Sequence, residues 1–199
     1  MKYKAIVFDY AGVVAGDTAS KFDQGISKIT GASVDDYKKV YYRHNDLHNT
    51  GKISWEELWK RVLIDLDKET LLDEVLIFIR KPKKINKNVI KLIEELKNKD
   101  YKVALFSNYS KVGGQRMRDV LHLDKIFDLM LISGEIGLAK PHPDAFLYLI
   151  EKLDIKANEI VFIDDSPKNI KTAKELGITT ILCEDPKNIR SQLKKKDIL

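Results

Sequence analysis

The chain of 199 residues contains one cysteine, Cys183, so it cannot close an internal disulfide. That excludes the small secreted scaffolds that depend on disulfides and fits a reducing compartment. Cys183 follows the apolar run Thr180-Ile181-Leu182 and reads as a small packing residue. Long hydrophobic runs are also missing. Nothing approaches the roughly 20 apolar residues of a membrane-spanning helix. The early run Ala5-Ile6-Val7-Phe8 ends at Asp9, too soon for a secretory leader. The expectation is a soluble, cytoplasmic chain with no membrane partner. There is no internal repeat and no low-complexity linker. Large charge blocks are few. The net charge is +5, but its positive residues are dispersed, apart from Lys194-Lys195-Lys196 and Arg80-Lys81-Pro82-Lys83-Lys84. A dispersed basic surface argues against a nucleic-acid partner and leaves room for small anionic metabolites.

The length fits one large domain, or a core with one insertion. An apolar fraction of 44% is enough for a sizeable core. Residues 1–14 read as a buried strand and turn. Residues 17–79 read as consecutive helices without a strand. Gly31 and Gly51 act as stops, and Ser33 and Ser54 as N-caps with acidic residues just inside. Ser54-Trp55-Glu56-Glu57 fits a capping box. Leu58, Trp59, Val62, Leu63 and Leu66 recur at helical spacing, and a fourth helix is expected over 69–79. Residues 85–199 alternate helices with strands at 103–106, 129–132, 160–163 and 178–182. This rhythm predicts an α/β fold: a doubly wound, Rossmann-like parallel sheet with an inserted helical bundle.

In such a sheet the strands run in one direction, so their carboxyl ends converge. Asp9, Ser107 and the pair Asp164-Asp165 each stand at such an end. Carboxylates brought together there need a counter-cation or a raised pKa. Surroundings rich in oxygen and free of His and Cys favour Mg²⁺. Lys140, in the stiff segment Gly137-Leu138-Ala139-Lys140-Pro141-His142-Pro143, can hold Asp9 or a phosphate oxygen. Ser107 and the amides after it can donate to further phosphate oxygens, and the following helix adds a favourable dipole. Each residue has an ordinary structural reading: Asp164-Asp165-Ser166-Pro167 is also a helix start, and Ser107-Asn108 is also a cap. The four elements in order are far more specific than any one.

The segments FDYAGVV, LFSNYS, GLAKPHPDAF and VFIDDSPKNIKTAKELGI resemble the haloacid dehalogenase superfamily over essentially the whole chain. The resemblance implies a core of residues 1–14 and 83–199 with a helical cap at 15–82. It implies that Asp9 is a nucleophile forming an aspartyl-phosphate, with Ser107 and Lys140 as its catalytic partners. Ser107, Asn108 and Lys140 would bind the transferring phosphoryl group. Asp9, the backbone carbonyl of Ala11, Asp164 and Asp165 would make the Mg²⁺ site. The substrate would be a small phosphorylated metabolite; a homodimer is compatible with the sequence, which carries no signal for oligomeric state. Ala11 departs from the family, whose phosphatases usually have Asp there as general acid–base. Loss of that group predicts slow turnover or a need for good leaving groups. Tyr10, His44 and His48 are candidate replacements. Two other readings stay open: a degenerate member that binds phosphate ligands or a protein, and a phosphonoacetaldehyde-type hydrolase using Lys52. His44 and His48 also have a spacing that can bind Zn²⁺. Tyr41, Tyr42, Trp55 and Trp59 could line a pocket, but read more simply as insert core.

Overall fold

Four-residue apolar runs set the architecture, because strands buried on both faces carry no polar alternation. The computed structural model describes residues 2–16, 18–81 and 83–199. Residue 17, the first of the expected helical run, and Pro82, at the expected end of the insertion and inside the basic segment 80–84, lie outside the described residues. The elements are β1 (Ala5–Phe8), α1 (Ala19–Thr30), α2 (Val34–Asn49), α3 (Trp55–Asp65), α4 (Leu72–Ile79), α5 (Lys87–Lys97), β2 (Lys102–Ser107) and α6 (Lys111–Asp119). Then follow β3 (Leu129–Ile132), α7 (Ser133–Ile136), α8 (Pro143–Leu153), β4 (Ile160–Asp164), α9 (Pro167–Glu175), β5 (Thr179–Leu182) and α10 (Ile189–Lys194).

The strands form one parallel sheet in the order β3-β2-β1-β4-β5. Successive side chains point to opposite faces. Ile6, Phe8, Val103, Leu105, Val161 and Ile163 join Leu92, Ile93 and Leu96 of α5 and Leu193 of α10. Val7, Ala104, Phe106 and Phe162 join Phe146 and Leu149 of α8 and Ala173 of α9 on the other face. The fold is the expected Rossmann-like α/β arrangement.

Helices α1–α4 stand between β1 and β2 in the chain and have a core of their own around Ile26, Tyr37, Trp59, Val62 and Val75. Ser33 and Ser54 cap their helices, accepting from Asp36 N at 3.1 Å and Glu57 N at 3.0 Å. The Glu57 carboxylate, expected to complete a capping box, instead takes Arg61 Nε at 2.8 Å, because the i,i+4 partner is charged. Gly25 makes the α1–α4 contact possible: a Cβ there would sit 2.2 Å from Phe78 Cζ. Tyr37 and Lys38 of α2 both reach the buried Asp23 of α1, tying the two helices together. Among the described residues, no helix is long and apolar enough to cross a membrane.

Candidate active site

The carboxyl edge of the sheet collects the polar residues that end its central strands. Asp9 directly follows β1 and continues its pairing, with Asp9 N donating to Ile163 O at 2.9 Å. The chain then turns tightly: Val14 N and Ala15 N both donate to Tyr10 O, at 2.9 and 2.8 Å, and Gly12 N donates to Ala15 O at 2.8 Å. The returning segment pins this turn through Asn86 N to Val14 O at 2.8 Å and Gly16 N to Lys84 O at 3.0 Å. Gly12 is required twice over. Its φ is +78°, and a Cβ would lie 2.1 Å from Asp165 Oδ2. The Asp165 carboxylate therefore rests against the turn that follows Asp9.

Lys140 reaches the same point from the loop before α8. Asn108 holds that loop in a reciprocal pair: its Nδ2 donates to Lys140 O at 2.6 Å, and its Oδ1 accepts from Lys140 N at 2.9 Å. The Lys140 ammonium, in a side chain 1% exposed, donates to Asp9 Oδ1 at 2.8 Å, Asp164 Oδ2 at 2.7 Å and Phe106 O at 2.7 Å. All three ammonium protons are used. The rings of Phe106 and Phe162 lie 5.1 and 5.2 Å away. Asp164 is fully buried and also accepts from Ser166 N at 2.8 Å and from Asn169 Nδ2 at 3.0 Å on each oxygen. Ser107 is buried at the end of β2, paired in register with Ile132.

Burial pushes the Asp9 carboxyl up to about 6; the Lys140 charge opposes the shift and the Asp164 charge adds to it. Burial works against a charged Lys140, but the carboxylates of Asp164 and Asp9 win and raise its pKa. Asp9, Asp164 and Asp165 each offer a carboxylate oxygen within 4.8 Å of the others. Lys140 is shared between two of these carboxylates, those of Asp9 and Asp164, in a largely buried site. The donors are all oxygen. Both properties fit a hard divalent cation.

A family model described as haloacid dehalogenase-like hydrolase matches residues 3–177. That span covers Asp9, Ser107, Lys140, Asp164 and Asp165 in order. The chain belongs to the haloacid dehalogenase-like hydrolase family. Two solved HAD structures carry the same fold. A predicted HAD-like hydrolase from Porphyromonas gingivalis has TM-score 0.68, 25% identity and coverage of 98% of each chain. A HAD family enzyme from Bacteroides thetaiotaomicron, in complex with magnesium and inorganic phosphate, has TM-score 0.64 and 23% identity over 92% of this chain and 96% of that one. D-ribitol-5-phosphate phosphatase from Bacteroides thetaiotaomicron is 26% identical and covers 96% of both sequences. Bifunctional epoxide hydrolase 2 from Rattus norvegicus is 30% identical over 116 residues, 56% of this chain. The match spans only 21% of that longer protein.

Position 11, on the turn after Asp9, carries a methyl group, and the expected stand-ins for an acid have partners elsewhere. Tyr10 is buried edge-on against Tyr109, with ring centroids 5.7 Å apart, and burial pushes its phenol up to about 12. Its side chain belongs to the core because it alternates with Asp9 across the strand end. His44 Nε2 meets Asp65 Oδ2 of α3 at 3.0 Å. His48 stacks on Trp55 at 4.5 Å, with Nδ1 3.3 Å from Ile53 O. The two histidines thus have separate partners inside the insert, which answers the Zn²⁺ reading. Lys52 is exposed. The sequence reading overlooked Asn169. Its signal was positional: five residues after Asp164, in the first turn of α9, an amide can reach back to the strand end.

Proposed function

We propose that this HAD-like hydrolase is a Mg²⁺-dependent phosphatase of small phosphorylated metabolites, with residues 15–82 serving as a cap over the core formed by 1–14 and 83–199. The observation that carries the reading is the Lys140 ammonium fixed between Asp9 and Asp164, with Asp165 alongside. Phosphatase relatives of similar length support it.

Asp9, Asp164, Asp165 and the carbonyl of Ala11 would hold the Mg²⁺. The ion supplies charge neutralisation for an incoming phosphate. Lys140 keeps Asp9 ionised and aimed. Asp9 attacks phosphorus in line; a new P–O bond forms to its carboxylate as the bond to the leaving oxygen breaks. Ser107 and Asn108, with the amides after β2, bind the phosphoryl oxygens. A water oxygen then bonds to phosphorus, the P–O bond to Asp9 breaks, and inorganic phosphate leaves. Ala11 gives no proton to the departing oxygen and cannot activate the water. Turnover is accordingly slow, or confined to good leaving groups, with solvent as the proton source. The single buried Cys183 suits a cytoplasmic setting.

A screen of phosphorylated metabolites with Mg²⁺ tests the reading, with Asp9→Asn as control. Phosphate release by the wild type and none by Asp9→Asn is expected. Equal release by both defeats the assignment of Asp9. The second reading, a phosphate-binding protein without turnover, is favoured by Ala11 alone. Saturable phosphate binding with no hydrolysis of any substrate would support it.

A further inference from the structure

The amino edge of the sheet, opposite Asp9, has a recess of its own. It holds about 410 Å³ and is lined by Lys2, Tyr3, Tyr101, Lys195, Lys196 and Asp197. Lys2 and Tyr3 precede β1, Tyr101 directly precedes β2, and residues 195–197 follow α10. The chain from Tyr3 to Asp9 spans about 20 Å when extended, so the recess is remote from the carboxylates. Its walls are held in place. Lys4 N donates to Glu159 O at 2.8 Å and Lys102 N to Lys4 O at 2.9 Å, which ties down the chain beside Tyr3 and Tyr101. Beyond α10, Asp197 N donates to Lys194 O at 3.0 Å and Ile198 N to Leu193 O at 3.2 Å. The buried Ile198 anchors this turn, in which Asp197 takes a φ of +57°.

The recess is rich in donors that the protein leaves unused. Among the described residues, none of Lys2, Lys195 and Lys196 is in an ion pair. Lys2 Nζ lies 5.1 Å from the centre of the Tyr3 ring. The Tyr3 oxygen accepts from Thr179 Oγ1 at 3.4 Å, so its own proton is left to donate outward. The Thr179 hydrogen bond, then Lys2 and Lys196, lower the pKa of that phenol against the effect of burial; both ammoniums therefore act on its hydroxyl. Tyr101 is 7% exposed, and its ring packs in the core. Its hydroxyl has no hydrogen-bond partner among the described residues. Yet the side-chain polar atoms there that are both fully buried and unpartnered are Asn45 Oδ1 and Trp59 Nε1. The Tyr101 hydroxyl thus keeps access to solvent, and the recess is the space it borders. Ammonium and phenol donors converging on one concavity suit the oxygens of a multiply charged anion.

We propose that this recess binds a small soluble polyanion bearing two or more phosphoryl groups, at a site separate from Asp9. The ammoniums of Lys2, Lys195 and Lys196 neutralise its charge, and the hydroxyls of Tyr3 and Tyr101 donate to its oxygens. Asp197 is the one acid on the rim and leaves the lysines in the majority. Concavity and volume suit a small molecule rather than a membrane surface. The site stands independently of the phosphatase reading, since none of its residues belongs to the carboxylate cluster.

Calorimetric titration of the metal-free chain with inorganic tripolyphosphate at low ionic strength tests the proposal. Saturable binding is expected. Tyr101→Phe removes one oxygen and keeps the ring in the core; it should weaken binding about tenfold, the size of a hydrogen bond to a charged group. Lys195→Gln with Lys196→Gln, both at the surface and safe for folding, should weaken it about fivefold or more. Lys194→Gln, in the same basic run but outside the recess, should change Kd by less than about twofold. Absence of saturable binding to the wild type overturns the proposal. So does an unchanged Kd in Tyr101→Phe, or a loss in Lys194→Gln equal to that of the double variant, because charge alone would then account for the binding.

Discussion

Lys140→Met isolates the charge balance on which the site depends. Methionine keeps most of the side-chain volume and the contacts with Phe106 and Phe162, but removes three hydrogen bonds and the countercharge for two carboxylates. Even with Lys140 present, burial holds Asp9 at about 6 against an ordinary 3.8, a gap worth roughly 3 kcal/mol against the ionised form. Removing one member of a buried ion pair generally costs about 3–5 kcal/mol, and that is the loss of unfolding free energy expected at pH 8 without metal. The pH dependence follows from the sign of the shift. A carboxyl raised in the folded state favours folding below its unfolded pKa, and this contribution is lost as pH rises through the folded pKa. In the wild type that window runs from about 3.8 to about 6. Without Lys140 the folded pKa of Asp9 rises further, so the window extends upward. The part of the penalty that comes from Asp9 should therefore be small near pH 5 and grow above pH 6, on top of a pH-independent loss from the bonds to Asp164 and Phe106 O. Urea denaturation of metal-free wild type and variant at pH 5, 6, 7 and 8 measures it. A penalty below about 1 kcal/mol at pH 8, or one no larger at pH 8 than at pH 5, would refute the reasoning.

Gly12→Ala must adopt φ near +78° and force the Asp165 carboxylate aside; a loss of about 1–3 kcal/mol in stability and weaker Mg²⁺ binding by calorimetry are expected, and unchanged Mg²⁺ affinity would dissociate Asp165 from the metal. Asn169→Ala removes both amide contacts to Asp164; Mg²⁺ affinity should fall about 10- to 100-fold, as for other groups that orient metal ligands. Ala11→Asp restores a proton donor and should raise turnover of alkyl phosphates by about 10²-fold or more, with a smaller gain on p-nitrophenyl phosphate; equal turnover of alkyl phosphates before and after the change would show that position 11 does not limit the reaction.

The sheet and the set Asp9, Ser107, Lys140 and Asp164-Asp165 were legible because each polar residue interrupts an apolar run or a proline-stiffened loop. A parallel sheet turns such interruptions into neighbours at one edge. The elements that sequence patterning missed are short or polar. Helix α7 has four residues. Helix α10 has six. Helix α6 was expected as the helix after Ser107 but without bounds, because it contains Gly113 and Gly114, weak helix formers at positions where a Cβ would strike Tyr109 at 2.1 Å and Glu135 at 2.6 Å, respectively. Contacts across the chain were equally unreadable. Nothing in the spacing of Asn108 announces its pair with Lys140, 32 residues away. Histidines four apart on α2 looked like one unit, yet Asp65 and Trp55 claim them separately.

The same contrast governs where specificity can be found. Asp9 and Asp164 stand at the ends of β1 and β4, whose backbones pair in register, so the sheet sets the separation of their main chains. The insert touches this edge through side chains such as Tyr42 on Lys168 and through the approach of Gly51 to Gly134, and neither contact is a backbone ladder. On the proposed phosphatase reading, substitutions along α2 should alter substrate choice without moving Asp9 or Asp164. Ala11 sits on the other side of that division. It belongs to the rigid turn held by Tyr10 O, Ala15 O and Asn86 N, where the backbone carbonyl is retained whatever the side chain. An acid placed there should change the rate for every alkyl phosphate. Kinetics of Ala11→Asp and Asn169→Ala, singly and combined, should show coupled effects on kcat/KM, because both residues bear on the same strand-end carboxylates; strict additivity would mean that the turn and α9 act separately.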